Sequence, residues 1–274
     1  MTESGKTPSP ATVPSGRTIL ARVRTPTGEW QLQSRDAHYE IICNGVFLMA
    51  SYNQASDRCL ATVALARVRG EGLRVLVGGL GIGFTAQAVL EDKRVAALEV
   101  VEIEPTVVAW HREHFATLCG QPLDDPRTAL VQADLAHLRL AAGAYDAILL
   151  DTDNGPDWLI RDTNARLYSR EAAARFLAAL RPGGVLAYWS ASLSPSLSAA
   201  LGAGGRAVEV VATEDEIPPG RPSTAWLYLA TANGATGQRD RAGPLSPRSE
   251  SLPELAGTSF RPRRGRTGGG RLRP

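Results

Sequence analysis

The sequence predicts an α/β fold: a mostly parallel, seven-stranded sheet with helices on both faces, preceded by a small β-meander. Three observations carry this. From Leu73 to Ala230, short β-branched apolar runs alternate with helical stretches, the pattern of a parallel sheet with crossover helices. The first of these runs, L-R-V-L-V at 73–77, leads directly into Gly78, Gly79, Gly81 and Gly83 and then a helix-forming stretch, F-T-A-Q-A-V-L-E. Residues 17–50 read instead as strands and tight turns.

Taken in order, residues 1–16 are rich in Pro, Ser, Thr and Gly and are expected to be disordered. Residues 17–55 form the expected meander. Its strands are Arg17 to Arg24, Trp30 to Gln33, Tyr39 to Cys43 and Val46 to Met49, with Asn44-Gly45 as the strongest hairpin signal. A helix is expected over Asp57 to Val68, where Leu60, Val63, Ala64 and Val68 share a face. The α/β domain is expected over 56–230. Its strands are 73–77, 97–103, 128–131, 145–151, 185–190, 207–212 and 225–230. Its helices are 84–91, 105–118, 135–140, 169–180 and 194–201. Pro105 suits a first helical turn, and Arg181-Pro182-Gly183-Gly184 suits a helix stop. The last two strands have no helix between them, so they should pair antiparallel at one edge, with Pro218-Pro219-Gly220 in their connection. Residues 231–274 read as a disordered basic tail. From Asn233 onward nine Arg face three acidic residues, so the remainder of this +2 chain is mildly acidic. Nonspecific nucleic-acid contact is the sharper reading of that tail, and coding bias the plainer one.

The composition, 43% hydrophobic and 21% charged, is that of a globular domain. Cys43, Cys59 and Cys119 lack metal-ligand spacing, and no metal is expected. The first residues lack an apolar signal-peptide core, and no run approaches membrane-span length. A cytoplasmic protein with no membrane contact is therefore expected. His111 and His114 are expected to face solvent from their helix, without a metal partner. Trp158 and Tyr168 flank an acidic loop, as channel lining or as packing.

The chemistry gathers at successive strand ends. Gly81-Ile82-Gly83-Phe84-Thr85-Ala86 satisfies the dinucleotide fingerprint G-x-G-x-x-A, and Gly79-x-Gly81-x-Gly83 equally suits the class I S-adenosylmethionine-type Rossmann fold. Glycines let backbone approach a ligand closely, and the helix start offers free N–H groups. Glu102 closes the second strand, where a carboxylate can accept both ribose hydroxyls; Glu104, beside Pro105, instead suits a helix N-terminus. Asp134 follows the third strand, as an adenine acceptor or as a cap for the next turn. Asp151, Asp153 and Asp157 crowd the loop after the fourth strand, where open α/β sheets place their sites. They suit a cationic acceptor, or simply a polar turn.

At these residues the chain resembles the spermidine/spermine synthase family, the polyamine aminopropyltransferases. The likeness runs from about Tyr39 to Tyr188. It rests on the strand-then-glycine run at 75–83, V-V-E-I-E-P at 100–105, D-D-P-R at 124–127, the Asp134 segment, Y-D-A-I-L-L-D at 145–151 and L-R-P-G-G-V-L at 180–186. The resemblance implies a class I S-adenosylmethionine-methyltransferase-like fold with an N-terminal β-meander, and often a homodimer. It implies transfer of an aminopropyl group from decarboxylated S-adenosylmethionine to a small cationic amine such as putrescine. Gly79, Gly81, Gly83, Glu102 and Asp134 would then bind the nucleoside co-substrate, Asp151 would receive and deprotonate the amine, and Asp153 and Asp57 would lie on the amine side. The chain also departs from the family's pattern. Gly81 stands where the glycine run carries an aspartate that holds the donor's amine. Asp57-Arg58 stands for a Tyr-Gln pair, a His-Pro before the first strand is missing, and the D-T-D-N-G-P loop is short. An S-adenosylmethionine-dependent methyltransferase, or a noncatalytic nucleoside-binding protein, is the alternative.

Overall fold

The computed structural model describes residues 16–217 and 220–232; the expectations for 1–15, Pro218-Pro219 and 233–274 lie outside the described residues. The chain opens with a four-stranded antiparallel meander, β1 (Arg17–Thr25), β2 (Gly28–Arg35), β3 (His38–Cys43) and β4 (Val46–Ala50), in sequence order. Asn44 (φ 52°) and Gly45 (φ 78°) make the expected two-residue turn. The turn between β2 and β3 has the same left-handed pair, at Asp36 (φ 48°) and Ala37 (φ 70°). A Cβ-bearing Ala at such an angle costs about 1–2 kcal/mol, so the pairing of the two strands imposes this turn where composition does not announce it.

Helix α1 (Gln54–Leu65) leads into the second sheet. That sheet holds β5 (Leu73–Gly78), β6 (Val95–Glu102), β7 (Thr128–Gln132), β8 (Tyr145–Leu150), β9 (Leu180–Ser190), β10 (Val208–Ile217) and β11 (Arg221–Thr231). The spatial order is β10-β11-β9-β8-β5-β6-β7, parallel except for β11, which lies antiparallel between β9 and β10. Every residue of β8, and all but Arg74 of β5, is buried, as strands covered on both faces must be. One core layer sets α1 and α2 (Phe84–Glu91) on one face of the sheet. The opposite layer holds α4 (Arg170–Ala179) and α5 (Pro195–Leu201), which follow α3 (Pro105–Trp110) in the chain. A third core joins Trp30, Leu32 and Ile41 of the meander to Ile82, Phe84, Val107, Trp110 and Phe115.

Three local expectations are corrected. The helix expected over 105–118 ends as α3 at Trp110, widens to a π turn at His111–Phe115, and tightens to a 3-10 turn at Ala116–Cys119. The wider turn brings both His111 and Phe115 inside, so His111 does not face solvent. It is fully buried, with Nδ1 3.0 Å from the Ile82 carbonyl oxygen. The expected helix at 135–140 is a single turn. Asp134 accepts from Ala136 N at 2.8 Å, and the Arg175 guanidinium donates to the Leu135 and Leu138 carbonyls, taking acceptors a longer helix would use. Helix α1 starts at Gln54, which puts Ser56 and Asp57 inside its first turn. Asn53 supplies no side-chain cap, and the Ser56 N–H instead donates to Asp215 Oδ1 of β10 at 3.0 Å. Among the described residues no helix is long and apolar enough to cross a membrane.

Glu104 fastens the meander to the second sheet. Its carboxylate caps α3 through Thr106 N (3.0 Å) and accepts the hydroxyls of Thr25 (2.9 Å) and Thr27, whose oxygen in turn accepts from Trp30 Nε1. Burial alone would raise its pKa, but these donors outweigh burial and hold it below the usual 4.5. Glu104→Gln is expected to destabilise the protein by about 2 kcal/mol at pH 7, read as a lower urea midpoint. A depressed carboxyl contributes stability above its unfolded value and loses it as pH falls through the folded value. The deficit of the variant should therefore shrink on acidification below about 4.5.

Candidate active site

The order of strands reverses direction between β5 and β8, and at such a switch point a crevice opens beyond the strand ends. The backbones there are in contact. Asp151 N donates to the Gly78 carbonyl at 2.9 Å, and Gly79 N to that of Val101 at 2.8 Å. Three glycines at positive φ carry the chain from β5 into α2, each against a different neighbour. A Cβ on Gly79 (φ 91°) would lie 2.0 Å from the Asp151 carbonyl oxygen. One on Gly83 (φ 107°) would lie 2.7 Å from the His111 ring. At Gly81 (φ 52°) the obstacle is Met49 of β4, whose sulfur would be 2.8 Å away.

A pocket lies over this turn. Gly79, Gly81 and Glu102 form its floor, Trp30 and Met49 come from the meander, and the loop after β8 supplies Asp151, Asp153 and Arg161. Glu102 ends β6, 7% exposed, and its oxygens accept from Leu80 N (2.9 Å) and Glu104 N (2.8 Å). Burial raises its pKa, and the backbone donors only partly offset this. Each carboxylate oxygen has a further lone pair, so the group is held rigidly and can still accept from a diol. Asp134 does not line this pocket. Its oxygens go to Ala136 N and, at 3.1 Å, to His137 Nδ1, which is the turn-capping arrangement. Leu135 packs beneath instead, against Gly78.

Asp153 is buried, and its carboxylate organises its own loop by accepting from Asn154 N (2.8 Å), Ile160 N (2.8 Å) and Asn164 Nδ2 (2.7 Å). Asp157 and Trp158 are exposed on that loop, while Tyr168 is buried in the core. Asp151 faces the pocket, and its Oδ2 accepts from the Thr85 hydroxyl at 2.7 Å. Burial, opposed by Thr85 and reinforced by Asp215, pushes its pKa up to about 6. Asp57 lies behind it; the Thr85 hydroxyl oxygen is 3.2 Å from the Asp57 carbonyl oxygen. Burial, with Asp151 and Asp215 adding repulsion, raises the Asp57 carboxyl well above its usual 3.8. The structure thus brings Gly79, Gly81, Glu102, Asp151 and Asp153 to one pocket, puts Gly83 and Asp57 just outside it, and leaves Asp134 apart. Met49, Thr85, Arg161 and Asp215 went unnoticed in the sequence. Thr85 alone carried a signal, as a variable position inside the glycine fingerprint.

The profile of the spermine/spermidine synthase domain matches residues 55–198. This chain belongs to the spermine/spermidine synthase family. Among curated proteins it is similar to putrescine N-methyltransferase 1 of Nicotiana tabacum, 39% identical over 115 residues that make up 41% of this chain and 29% of that enzyme. It is likewise similar to polyamine aminopropyltransferase 2 of Pseudomonas aeruginosa, 32% identical over 127 residues, 44% of this chain and 34% of that one. The chain thus spans about a third of the length of these relatives. Among solved structures, a spermidine synthase in complex with the transition-state analogue AdoDATO superposes with a TM-score of 0.67 at 17% identity, covering 78% of this chain and 74% of that one. The shared fold is the methyltransferase-like sheet with its antiparallel meander.

The glycine contacts give a direct check. Gly79→Ala should lower stability by about 3 kcal/mol or more, because backbone, not a flexible side chain, blocks the new methyl group. Gly72→Ala has a similar positive φ (68°) but meets nothing within 4 Å, so it should cost only about 1–2 kcal/mol. Equal losses in denaturant titrations would mean that Gly79 and Asp151 are not in such close contact.

Proposed function

We propose that the protein transfers an alkyl group from an adenosyl sulfonium to a small cationic amine. The first reading is aminopropyl transfer from decarboxylated S-adenosylmethionine to a diamine of the putrescine type. The observation that carries it is Asp151: its backbone lies against the glycine turn at the switch point, and its carboxylate, held by the Thr85 hydroxyl, is buried with its pKa pushed up to about 6. An alkyl ammonium has a pKa near that of lysine, about 10, and is not nucleophilic while protonated. Asp151 takes the proton, so the N–H bond breaks and an O–H bond forms. The freed lone pair attacks the carbon beside the sulfonium, and the C–S pair leaves on sulfur as a neutral thioether. Glu102 holds the ribose, the glycine turn admits the nucleoside backbone-close, and the fold supplies the in-line approach. Asp153 keeps the loop bearing Asp151 closed on itself.

Methyl transfer from S-adenosylmethionine is the second reading, and two observations favour it. Met49 fills the space beside Gly81, so no carboxylate there meets a donor's ammonium. Arg161 lines the same pocket and would suit the carboxylate that only the undecarboxylated donor has. The similarity to putrescine N-methyltransferases accords with this reading, and that to an aminopropyltransferase with the first.

Purified protein incubated with putrescine and either donor decides between them: spermidine with methylthioadenosine, or N-methylputrescine with S-adenosylhomocysteine. Asp151→Asn is expected to cut turnover by about 10²-fold or more while methylthioadenosine still binds by calorimetry. Unchanged turnover would take Asp151 out of the mechanism. Arg161→Gln should weaken S-adenosylmethionine binding about tenfold and spare the decarboxylated donor if the second reading holds. An equal effect on both donors would count against it.

A further inference from the structure

Behind Asp151 lie two more carboxylates from distant parts of the chain, Asp57 in the first turn of α1 and Asp215 near the end of β10. Strand β10 runs parallel to β8 and β9, so Asp215 sits at the same carboxyl edge of the sheet as Asp151. Two contacts fix the grouping. The Thr85 hydroxyl of α2 donates to the Asp151 carboxylate and its oxygen lies 3.2 Å from the Asp57 carbonyl oxygen, and the Ser56 N–H donates to Asp215. Asp215 is 4% exposed, and Ser56 is fully buried with its hydroxyl oxygen unpartnered. The nearest cation in sequence, Arg58, pairs with Glu91 instead. None of the ion pairs among the described residues includes Asp57, Asp151 or Asp215. Asp215 on β10 acts on both Asp57 and Asp151, and Asp151 acts on Asp57 and on Tyr168 of the 3-10 turn that follows its loop. The cation that lines the pocket with Asp151 is Arg161.

We propose that Asp215 acts through Asp151, as a buried carboxylate that draws the acceptor's ammonium to Asp151 and favours proton transfer onto it. The inference rests on the reading of Asp151 as the proton acceptor. When the ammonium N–H bond breaks and the O–H bond forms on Asp151, the cluster loses one negative charge, and the repulsion among its members falls. The positive end of α1 offsets part of the cost of holding Asp215 and Asp57 there. A purely structural role for Asp215, as acceptor for the Ser56 N–H, is preserved by asparagine, whereas the charge is not. The raised proton affinities of Asp57 and Asp151 agree with the proposal.

The test uses the full chain with Asp215→Asn and Asp57→Asn. In wild type kcat/KM should rise with pH up to a limb at about 6. In Asp215→Asn that limb should move to lower pH by about one unit, with methylthioadenosine binding unchanged. A limb that stays in place overturns the proposal. Thermal melts without ligand give a second reading. An acid whose folded pKa is raised above 3.8 contributes least to stability at high pH, since the fold disfavours its charged form. The melting temperature of Asp57→Asn should therefore gain on wild type by about 3 °C between about pH 4.5 and 8. The gain should be smaller when Asp215→Asn is also present, and a gain of the same size overturns the proposal. If neither donor yields product, the transfer reading falls, and the melts still decide whether the three carboxylates are coupled.

Discussion

The contact between the ends of β5 and β8 governs this molecule. Two parallel strands part company there, one chain turning into α2 and the other into the acidic loop. They separate with the Gly79 backbone against the Asp151 carbonyl. Such closeness tolerates no side chain, and it sets the backbone of the loop's first acid beside the glycine turn without a flexible linker. The two flanking backbone hydrogen bonds, Asp151 to Gly78 and Gly79 to Val101, extend the register of the sheet one residue past its strands. The relative placement of Glu102, the glycine turn and Asp151 is thus inherited from the sheet, whose strands are buried on both faces.

The meander is tied into that frame by acids rather than by apolar packing alone. Glu102 binds the N–H groups of Leu80 and Glu104, and Glu104 in turn gathers Thr25, Thr27 and Thr106. Two glutamates two residues apart therefore connect the floor of the pocket, the first turn of α3 and the first hairpin. Displacing the hairpin would disturb the Glu102 carboxylate through a short hydrogen-bonded path. The third core, from Trp30 to Phe115, gives that path its dry surroundings.

Most of the architecture was legible because it follows from local pattern. Continuous apolar runs with helices between them imply a parallel sheet, the missing last helix implies an antiparallel pair, and Asn44-Gly45 sets its hairpin. The expected helix at 84–91 coincides with α2. Errors arose where a distant group decides a local conformation. Arg175 stops the turn after Asp134, His111 is drawn inward by the Ile82 carbonyl, and the first turn of α1 is met by an acid more than 150 residues away. Within the pocket, the residues at strand ends could be read from position, since the switch point lies there in any sheet of this order. Asp215 could not. It sits in a run of three acids on an edge hairpin, which in sequence looks like a solvated face. Only the antiparallel insertion of β11 carries that run to the site.

Met49 has a further consequence. The room beside Gly81 is occupied by a side chain from the other sheet, carried on a strand that takes no part in the seven-stranded sheet. The two halves of this pocket can therefore diverge separately: a change in β4 reshapes the ligand's surroundings and leaves the glycine turn untouched. A thioether on three rotatable bonds is well suited to that position, because it yields to guests of different length and polarity without a backbone change. Selectivity among related guests would then drift through a hairpin strand, which looks like mere scaffolding from the fold alone.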